Sequence, residues 1–170
     1  LTDRVLMKVT VAMCVYKPKE SFLREAIMSV SHQRLPVDKF LIVIDDTQPE
    51  TMYLVKKILK EEWRAQRPVQ VIINTTNLGL SASRNIALDN TSSNWILFLD
   101  QDDVLYKSAI SNAAKLVRET SGSIAALFST ANIIDDESNV RGKYMDFIQE
   151  RLTSCPELLL GLCFLPLPTT

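Results

Sequence analysis

The chain has 170 residues, 46% of them hydrophobic and 23% charged, with a formal net charge of −1. That is enough apolar material for one core burying roughly 70% of the unfolded surface. The near-neutral charge excludes the electrostatic footprint of a nucleic-acid or anionic-membrane binder. No apolar run reaches the length of a membrane span. Cys14, Cys155 and Cys163 lack the spacing of a disulfide framework or zinc site, which points to a reduced, cytoplasmic setting. Asp3 and Arg4 near the N-terminus, with no long apolar stretch, predict no secretory leader. The first residue is Leu rather than Met, so an incomplete N-terminus is expected.

Residues 9–15 read VTVAMCV, a β-branched apolar run that predicts a buried strand. YKPKE then breaks the run with a proline. Leu23, Ala26, Ile27 and Val30 follow the spacing of a helix with one buried face, and Leu35-Pro36 ends it. Residues 40–44, FLIVI, form the second predicted strand, which ends in Asp45-Asp46. Thr47-Gln48-Pro49-Glu50 has the pattern of a capping box. The helix it opens runs to about Arg64, with Met52, Val55, Ile58, Leu59 and Trp63 as its apolar stripe. VQVII at 69–73 is a third strand. The glycine loop NLGLS at 77–81 leads into a short helix through about Leu88. The fourth strand, 95–99, delivers Asp100-Gln101-Asp102-Asp103. Ala109, Ile110, Ala113, Leu116 and Val117 mark a further helix. Residues 124–134 read as one strand, 135–139 as a solvated turn, and 140–144 as its hairpin partner. Residues 148–162 suggest a last helix, and FLPLPTT is apolar and proline-broken.

Strands alternating with helices predict an α/β fold, with a mostly parallel sheet covered on both faces. Ligand crevices in such sheets lie at the carboxyl ends of the strands. Tyr16, Asp45-Asp46, the 77–79 loop and Asp100-Asp102-Asp103 therefore converge on one rim. Two unit charges 4 Å apart at an effective dielectric of 20 repel by about 4 kcal/mol. Three carboxylates at one strand end must splay into water, take up a proton or bind a cation. Asp103 could instead cap the helix that starts near Lys107. Convergence favours Mg²⁺ or Mn²⁺ on Asp100 and Asp102, with substrate phosphates filling the other positions. Asn77 and Gly79 precede a helix N-terminus suited to an anion, and Arg84 supplies either a fixed charge for it or a surface ion pair. Asp45-Asp46 could bond a base or ribose, or merely precede the helix. Tyr16 could stack on a base or simply end its strand. His32 reads as structural or exposed, Cys14 as a small core residue, and Trp63 and Trp95 as packing residues.

VTVAMCVYKPKESFLREAIMSVSHQ, LIVIDDTQPE, NLGLSASRNIAL and WILFLDQDDVL, in that order, resemble the successive signatures of the family-2 glycosyltransferases of the GT-A fold. The resemblance covers residues 8–110 well and continues more weakly through ANIIDDESNVRGK. It implies a single GT-A domain over 1–170, with 8–110 as the nucleotide-sugar-binding half and 111–170 as the start of an incomplete acceptor-side half. It implies a UDP- or dTDP-sugar donor, a Mn²⁺ or Mg²⁺ cofactor, a carbohydrate or lipid-linked acceptor and inverting displacement. Polysaccharide biosynthesis, on the cytoplasmic side or peripheral to a membrane, is the implied setting. By the resemblance, Tyr16 and Asp45-Asp46 contact base and ribose, while Arg84 and the Asn77–Gly79 loop frame the nucleotide pocket. Asp100 and Asp102 form the Asp-x-Asp pair, with Asp102 meeting the metal, and Asp103 supports the site or touches the sugar.

Two departures stand out. Asp45-Asp46-Thr47-Gln48-Pro49 replaces the usual Asp-Asp-Gly-Ser, and Lys17 stands where the family often has Asn. Glu150 and Glu157 come too early to match the family's catalytic base, so no base is assigned. The alternatives are nucleotide-sugar binding without turnover and a receiver-type signalling domain, which LIVIDD and FLDQDD suggest. A receiver would begin with its acidic strand, whereas VTVAMCVY comes first here. A nucleotidyltransferase would want a glycine- and lysine-rich loop after the first strand, and YKPKE contains no glycine. A sheet that ends early predicts exposed apolar surface and self-association.

Overall fold

The structure is a computed structural model that describes residues 7–65, 67–120, 124, 126–143 and 162–166. Its elements in chain order are β1 (Val9–Val15), α1 (Glu20–Ser31), β2 (Lys39–Ile44), α2 (Pro49–Glu62), β3 (Val69–Ile73) and α3 (Leu80–Asp89). They continue with β4 (Trp95–Phe98), α4 (Ala109–Glu119), β5 (Leu127–Ser129), β6 (Asn132–Ile134), β7 (Val140–Lys143) and β8 (Leu162–Pro166). The main sheet has the order β3-β2-β1-β4-β8-β5. Its first four strands are parallel, and β8 runs antiparallel between β4 and β5.

The period-2 side-chain alternation of strands divides the core in two. Val9, Val11, Met13 and Val15 of β1 join Phe40, Ile42 and Ile44 of β2 and Leu97 of β4 on one face. There they meet Leu23, Ala26, Ile27 and Val30 of α1, Val55 and Ile58 of α2, and Ile110 and Ala113 of α4. The other face carries Ala12, Leu41, Val43 and Ile96, covered by Ala87 of α3. Helices thus lie on both faces, as the alternation predicts. Strands buried on both sides read as continuous apolar runs, which explains why the strand signals are strong. Trp63 joins the first core from the C-cap of α2, where its ring stacks on Phe40 at a centroid distance of 5.2 Å.

Three local expectations change. The capping box at 47–50 does not form: the N-cap of α2 is Gln48, without a side-chain bond. Asp46 takes that part instead, accepting from the Gln48 N–H at 3.1 Å and the Thr51 hydroxyl at 2.6 Å. Asp103 does not cap α4, whose N-cap Ser108 makes no side-chain cap bond. The buried Gln33 meets that helix, accepting from the Ile110 N–H at 3.2 Å and donating to the Tyr106 carbonyl at 2.9 Å. The single strand expected over 124–134 is two strands, because the polar, exposed Ser129-Thr130 gives the sheet nothing to bury and β6 leaves to pair with β7. The helix expected over 148–162 lies outside the described residues, apart from Leu162, which begins β8. Residues 162–166, which take in the start of the proline-broken end, form a strand paired with both β4 and β5.

Successive strands step outward from β1 to β2 to β3, and the chain then returns to place β4 on the other side of β1. The strand order reverses at β1 and β4. That switch point opens a crevice at the carboxyl ends of the two strands.

Candidate functional site

The crevice holds a cavity of about 410 Å³. The end of β1 contributes Cys14 and Tyr16, and the end of β2 contributes Asp45. The loop before α3 brings Asn77, Gly79 and Leu80, and the end of β4 brings Asp100, Gln101 and Asp102. Four separate stretches of sequence thus meet around one space, as the strand-end pattern predicts.

Asp45 is 4% exposed, yet it is charged and fully engaged. One carboxylate oxygen accepts from Asn74 Nδ2 and from the Leu78 N–H, both at 2.8 Å, and the other accepts from the Gly79 N–H at 2.7 Å. Burial pushes its pKa up, but the bonds from Leu78, Asn74, Gly79 and Ser83 outweigh it and hold the carboxyl below its ordinary value. Asp45 therefore shapes the glycine loop from beneath. Asn77 adds a second tie, its Oδ1 accepting from the same Gly79 N–H at 3.1 Å.

Gly79 sits at φ 84° and ψ 164°, a region that L side chains rarely adopt. A Cβ there would meet nothing within 4 Å, so the demand for glycine is one of backbone conformation alone. Gly79→Ala is expected to destabilise the fold by about 1–3 kcal/mol through that strain. Chemical denaturation of the variant checks it, and an unchanged midpoint would refute the assignment.

Asp46 lies outside the cavity lining and braces it. Besides the start of α2, it accepts from the Lys17 N–H at 3.3 Å, and Lys17 has the positive φ of 44°. The Thr51 hydroxyl leads the contacts that lower the Asp46 pKa, with the Gln48 and Lys17 backbone N–H groups adding to it against burial.

On the opposite wall, Arg84 Nη2 donates to Asp100 at 2.9 Å, and its guanidinium lies 5.5 Å from the Phe98 ring centroid. Of the two sequence readings of Arg84, the ion pair is the one that forms, and its partner Asp100 lines the cavity. Asp102 lines the cavity too, and among the described residues nothing donates a hydrogen bond or ion pair to its carboxylate. Asp103 closes a turn through its N–H to the Asp100 carbonyl at 3.1 Å. Although Asp103 is exposed over much of its surface, the protein around its carboxyl raises its pKa, and the charges of Asp100 and Asp102 add to that rise. Cys14 is half-buried at the cavity wall rather than deep in the core. Burial pushes its thiol up to about 11, Arg84 opposes the shift, and Asp100 and Asp45 reinforce it, so the thiol stays neutral near pH 7.

Gln101, Asn74 and Ser83 are site residues that the sequence reading missed. Gln101 Oε1 accepts from the Tyr16 N–H at 2.9 Å, and Gln101 Nε2 donates to the Tyr16 carbonyl at 3.0 Å. In sequence Gln101 is only the spacer of an Asp-x-Asp, and nothing local announces the contact. Asn74 and Ser83 flank the glycine loop, and only the fold brings them to Asp45 and to each other, at 3.1 Å. His32 is the exposed C-cap of α1, as expected of a structural histidine.

No group of three or more His, Cys, Asp or Glu among the described residues could hold an ion by itself. Asp100 and Asp102 nonetheless fit a hard divalent cation of the Mg²⁺ or Mn²⁺ type. Such ions commonly take one or two carboxylates and fill the rest of their shell with water and substrate phosphate. Asp102 offers both oxygens, while Asp100 has one oxygen committed to Arg84.

The pattern of glycosyl transferase family 2 matches residues 10–162. An uncharacterized glycosyltransferase of Methanocaldococcus jannaschii is 28% identical over 163 residues, covering 89% of this chain and 55% of its own length. TarS of Staphylococcus aureus, solved with UDP-GlcNAc, is similar in structure with a TM-score of 0.61 and 21% identity, over 94% of this chain and 45% of that one. The mannosyltransferase PcManGT from Pyrobaculum calidifontis, solved with GDP-Man and Mn²⁺, has a TM-score of 0.61 and 16% identity, over 75% of this chain and 36% of that one. The chain spans about half the length of the Methanocaldococcus relative and less than half of either solved chain. The two solved proteins share its GT-A fold. With nearly the whole chain matched and the four strand ends gathered as that fold requires, the chain belongs to glycosyl transferase family 2.

Proposed function

We propose that the chain supplies the donor-binding part of an enzyme that moves a sugar from a nucleoside-diphosphate sugar to an acceptor hydroxyl, with inversion at the anomeric carbon. The observation that carries this reading is the cavity itself. An Asp45-held glycine loop, an Asp100 carboxylate paired with Arg84 and the unengaged carboxylate of Asp102 all line one space. Family membership sets aside the receiver-type alternative. The UDP-GlcNAc and GDP-Man bound to two structural neighbours support a nucleotide-sugar donor in general terms.

In this reading Tyr16 and the Asp45 edge meet the nucleoside, which is uridine or deoxythymidine. Asp46 acts from behind by holding Lys17 and the start of α2. The 77–79 loop and Arg84 frame the diphosphate, and Asp103 supports the sugar side. Asp100 and Asp102 would hold Mn²⁺ or Mg²⁺, which when bound neutralises negative charge on the departing diphosphate. Arg84 adds a fixed positive charge that needs no reorganisation during the reaction. The acceptor is a carbohydrate or lipid-linked hydroxyl, in polysaccharide assembly on the cytoplasmic side of a membrane. No helix among the described residues is long and apolar enough to cross one. Self-association of the isolated chain belongs to the same proposal, and a single monomeric species in light scattering would remove it.

Calorimetric titration with UDP, UDP-sugars and dTDP, with and without Mn²⁺, tests the reading. Binding that strengthens with Mn²⁺ is expected. Metal-independent binding, or none, would count against it.

A further inference from the structure

The two strands that form the crevice separate before they reach the site. Backbone pairing of β1 with β4 ends at Ala12 and Phe98, after which the Leu99 N–H still reaches the Ala12 carbonyl at 3.0 Å. β1 continues to Val15 with only β2 beside it in register, from Met13↔Ile42 to Val15↔Ile44. Along a parallel strand, alternate residues turn their backbone groups to the same flank. Ala12 faces β4, and so does Tyr16 four residues later. At Tyr16 the partner is no longer backbone. It is the side-chain amide of Gln101, which bonds both the N–H and the carbonyl of Tyr16, at 2.9 and 3.0 Å. The amide thus stands in for a missing peptide unit across the open crevice.

The next residue is held as well. The Lys17 N–H reaches Asp46, and Lys17 keeps a positive φ of 44° that a non-glycine residue adopts at a cost. The backbone of Tyr16 is therefore gripped at its own two polar groups and again just beyond them. Tyr16 itself lines the cavity and is 43% exposed, with the Lys17 ammonium 5.1 Å from its ring centroid. Gln101 makes these bonds in an exposed setting, where such contacts add little to global stability. Their consequence falls on where Tyr16 stands.

We propose that Gln101 is a positioning residue for the donor nucleotide: its side chain clasps the Tyr16 backbone across the β1–β4 crevice and so sets the place of the Tyr16 ring against the base. The inference rests on the donor-site reading above and adds to it a residue that acts on the nucleotide through Tyr16. Asp100 and Asp102 on either side of Gln101 face the charged part of the ligand, so one short segment serves both of its ends.

The test is a double-mutant cycle read by calorimetry, with UDP, dTDP and GDP as probes in the presence of Mn²⁺. Gln101→Leu is expected to weaken the tightest of the three by about 10-fold, with a melting temperature close to that of the parent. Gln101→Glu should lose as much, because it sets a carboxylate oxygen against the Tyr16 carbonyl. It also serves as the second variant if the leucine form folds poorly. In a Tyr16→Ala background, Gln101→Leu should have little further effect, since the residue it acts through is already gone. Parent-like affinity in both Gln101 variants would overturn the clasp while leaving the donor site standing. Losses that simply add in the double variant would overturn it too. If none of the three nucleotides binds the parent chain, the donor-site reading falls and this inference falls with it.

Discussion

Asp102→Ala is expected to remove the metal-dependent part of nucleotide binding, weakening the UDP complex in Mn²⁺ by about 100-fold or more. Asp102 is the acidic group at the cavity whose oxygens no described residue engages, so a hard cation finds its most open carboxylate there. Asp100 cannot take its place alone. One of its oxygens is bonded to Arg84 at 2.9 Å, and the guanidinium already balances its charge. The fold should be untouched, because Asp102 is exposed and anchors no backbone. A stability change within about 0.5 kcal/mol is therefore expected. Calorimetry with and without Mn²⁺, paired with a thermal melt, separates the two effects. Full Mn²⁺-dependent affinity in the variant would show that the metal is held elsewhere.

Asp45→Ala should lower stability as well as binding. Its carboxylate collects the Leu78 and Gly79 N–H groups and the Asn74 amide; alanine would leave the Leu78 N–H without an acceptor and reduce the other two to their second partners, Asn77 Oδ1 and Ser83 Oγ. A stranded buried donor costs about 1–3 kcal/mol and each further lost bond about 1 kcal/mol, and water reaching the loosened loop would relieve part of the sum. A loss of about 3 kcal/mol is expected, a large share of the roughly 5–15 kcal/mol that holds a domain together. Nucleotide binding should fall in parallel, because the loop that frames the ligand would no longer be held.

The same carboxylate gives the stability a pH signature. Burial raises the Asp45 pKa, but the bonds it accepts lower it further, so the folded value lies below the unfolded one. A group depressed in this way contributes its full stability above the unfolded pKa, about 3.9, and loses it as the pH falls through the folded value. The parent protein should therefore melt at progressively lower temperature below about pH 4, and Asp45→Ala should show a flatter dependence there. Thermal melts across acid pH measure both curves. Parallel curves would mean that Asp45 does not carry the acid dependence.

How much of this was legible depends on the range of each interaction. β1, β2 and β4 were readable because strands buried on both faces must be almost wholly apolar, as residues 9–15, 40–44 and 95–98 are, and the half-buried edge strand β3 still shows the β-branched run VQVII. The convergence of Tyr16, Asp45, the 77–79 loop and Asp100 followed from parallel topology, since every strand then delivers its outgoing loop to the same edge. The cap of α2 was misread because Thr47 and Glu50 have the right spacing, while Asp46 has the better position. The broken strand at 129–130 and the antiparallel β8 were also missed. β5 and β8 pair with partners more than thirty residues away, as in Leu127↔Phe164, while β6 pairs with the nearby β7 and leaves the main sheet.

The sequence by itself determined the element order, the mostly parallel sheet and the identity of the carboxylates at the strand ends. These depend on hydrophobic periodicity and on residue chemistry, both of which are local. Only the tertiary structure decided what each polar group does. It turned Asp45 and Asp46 into braces for loops 78–79 and 17, tied Asp100 to Arg84, left Asp102 open, and gave the spacer Gln101 a grip on Tyr16. Hydrogen bonds act over about 3 Å and require alignment. Which donors and acceptors come within that reach is settled when the strands pack, and no spacing along the chain records it.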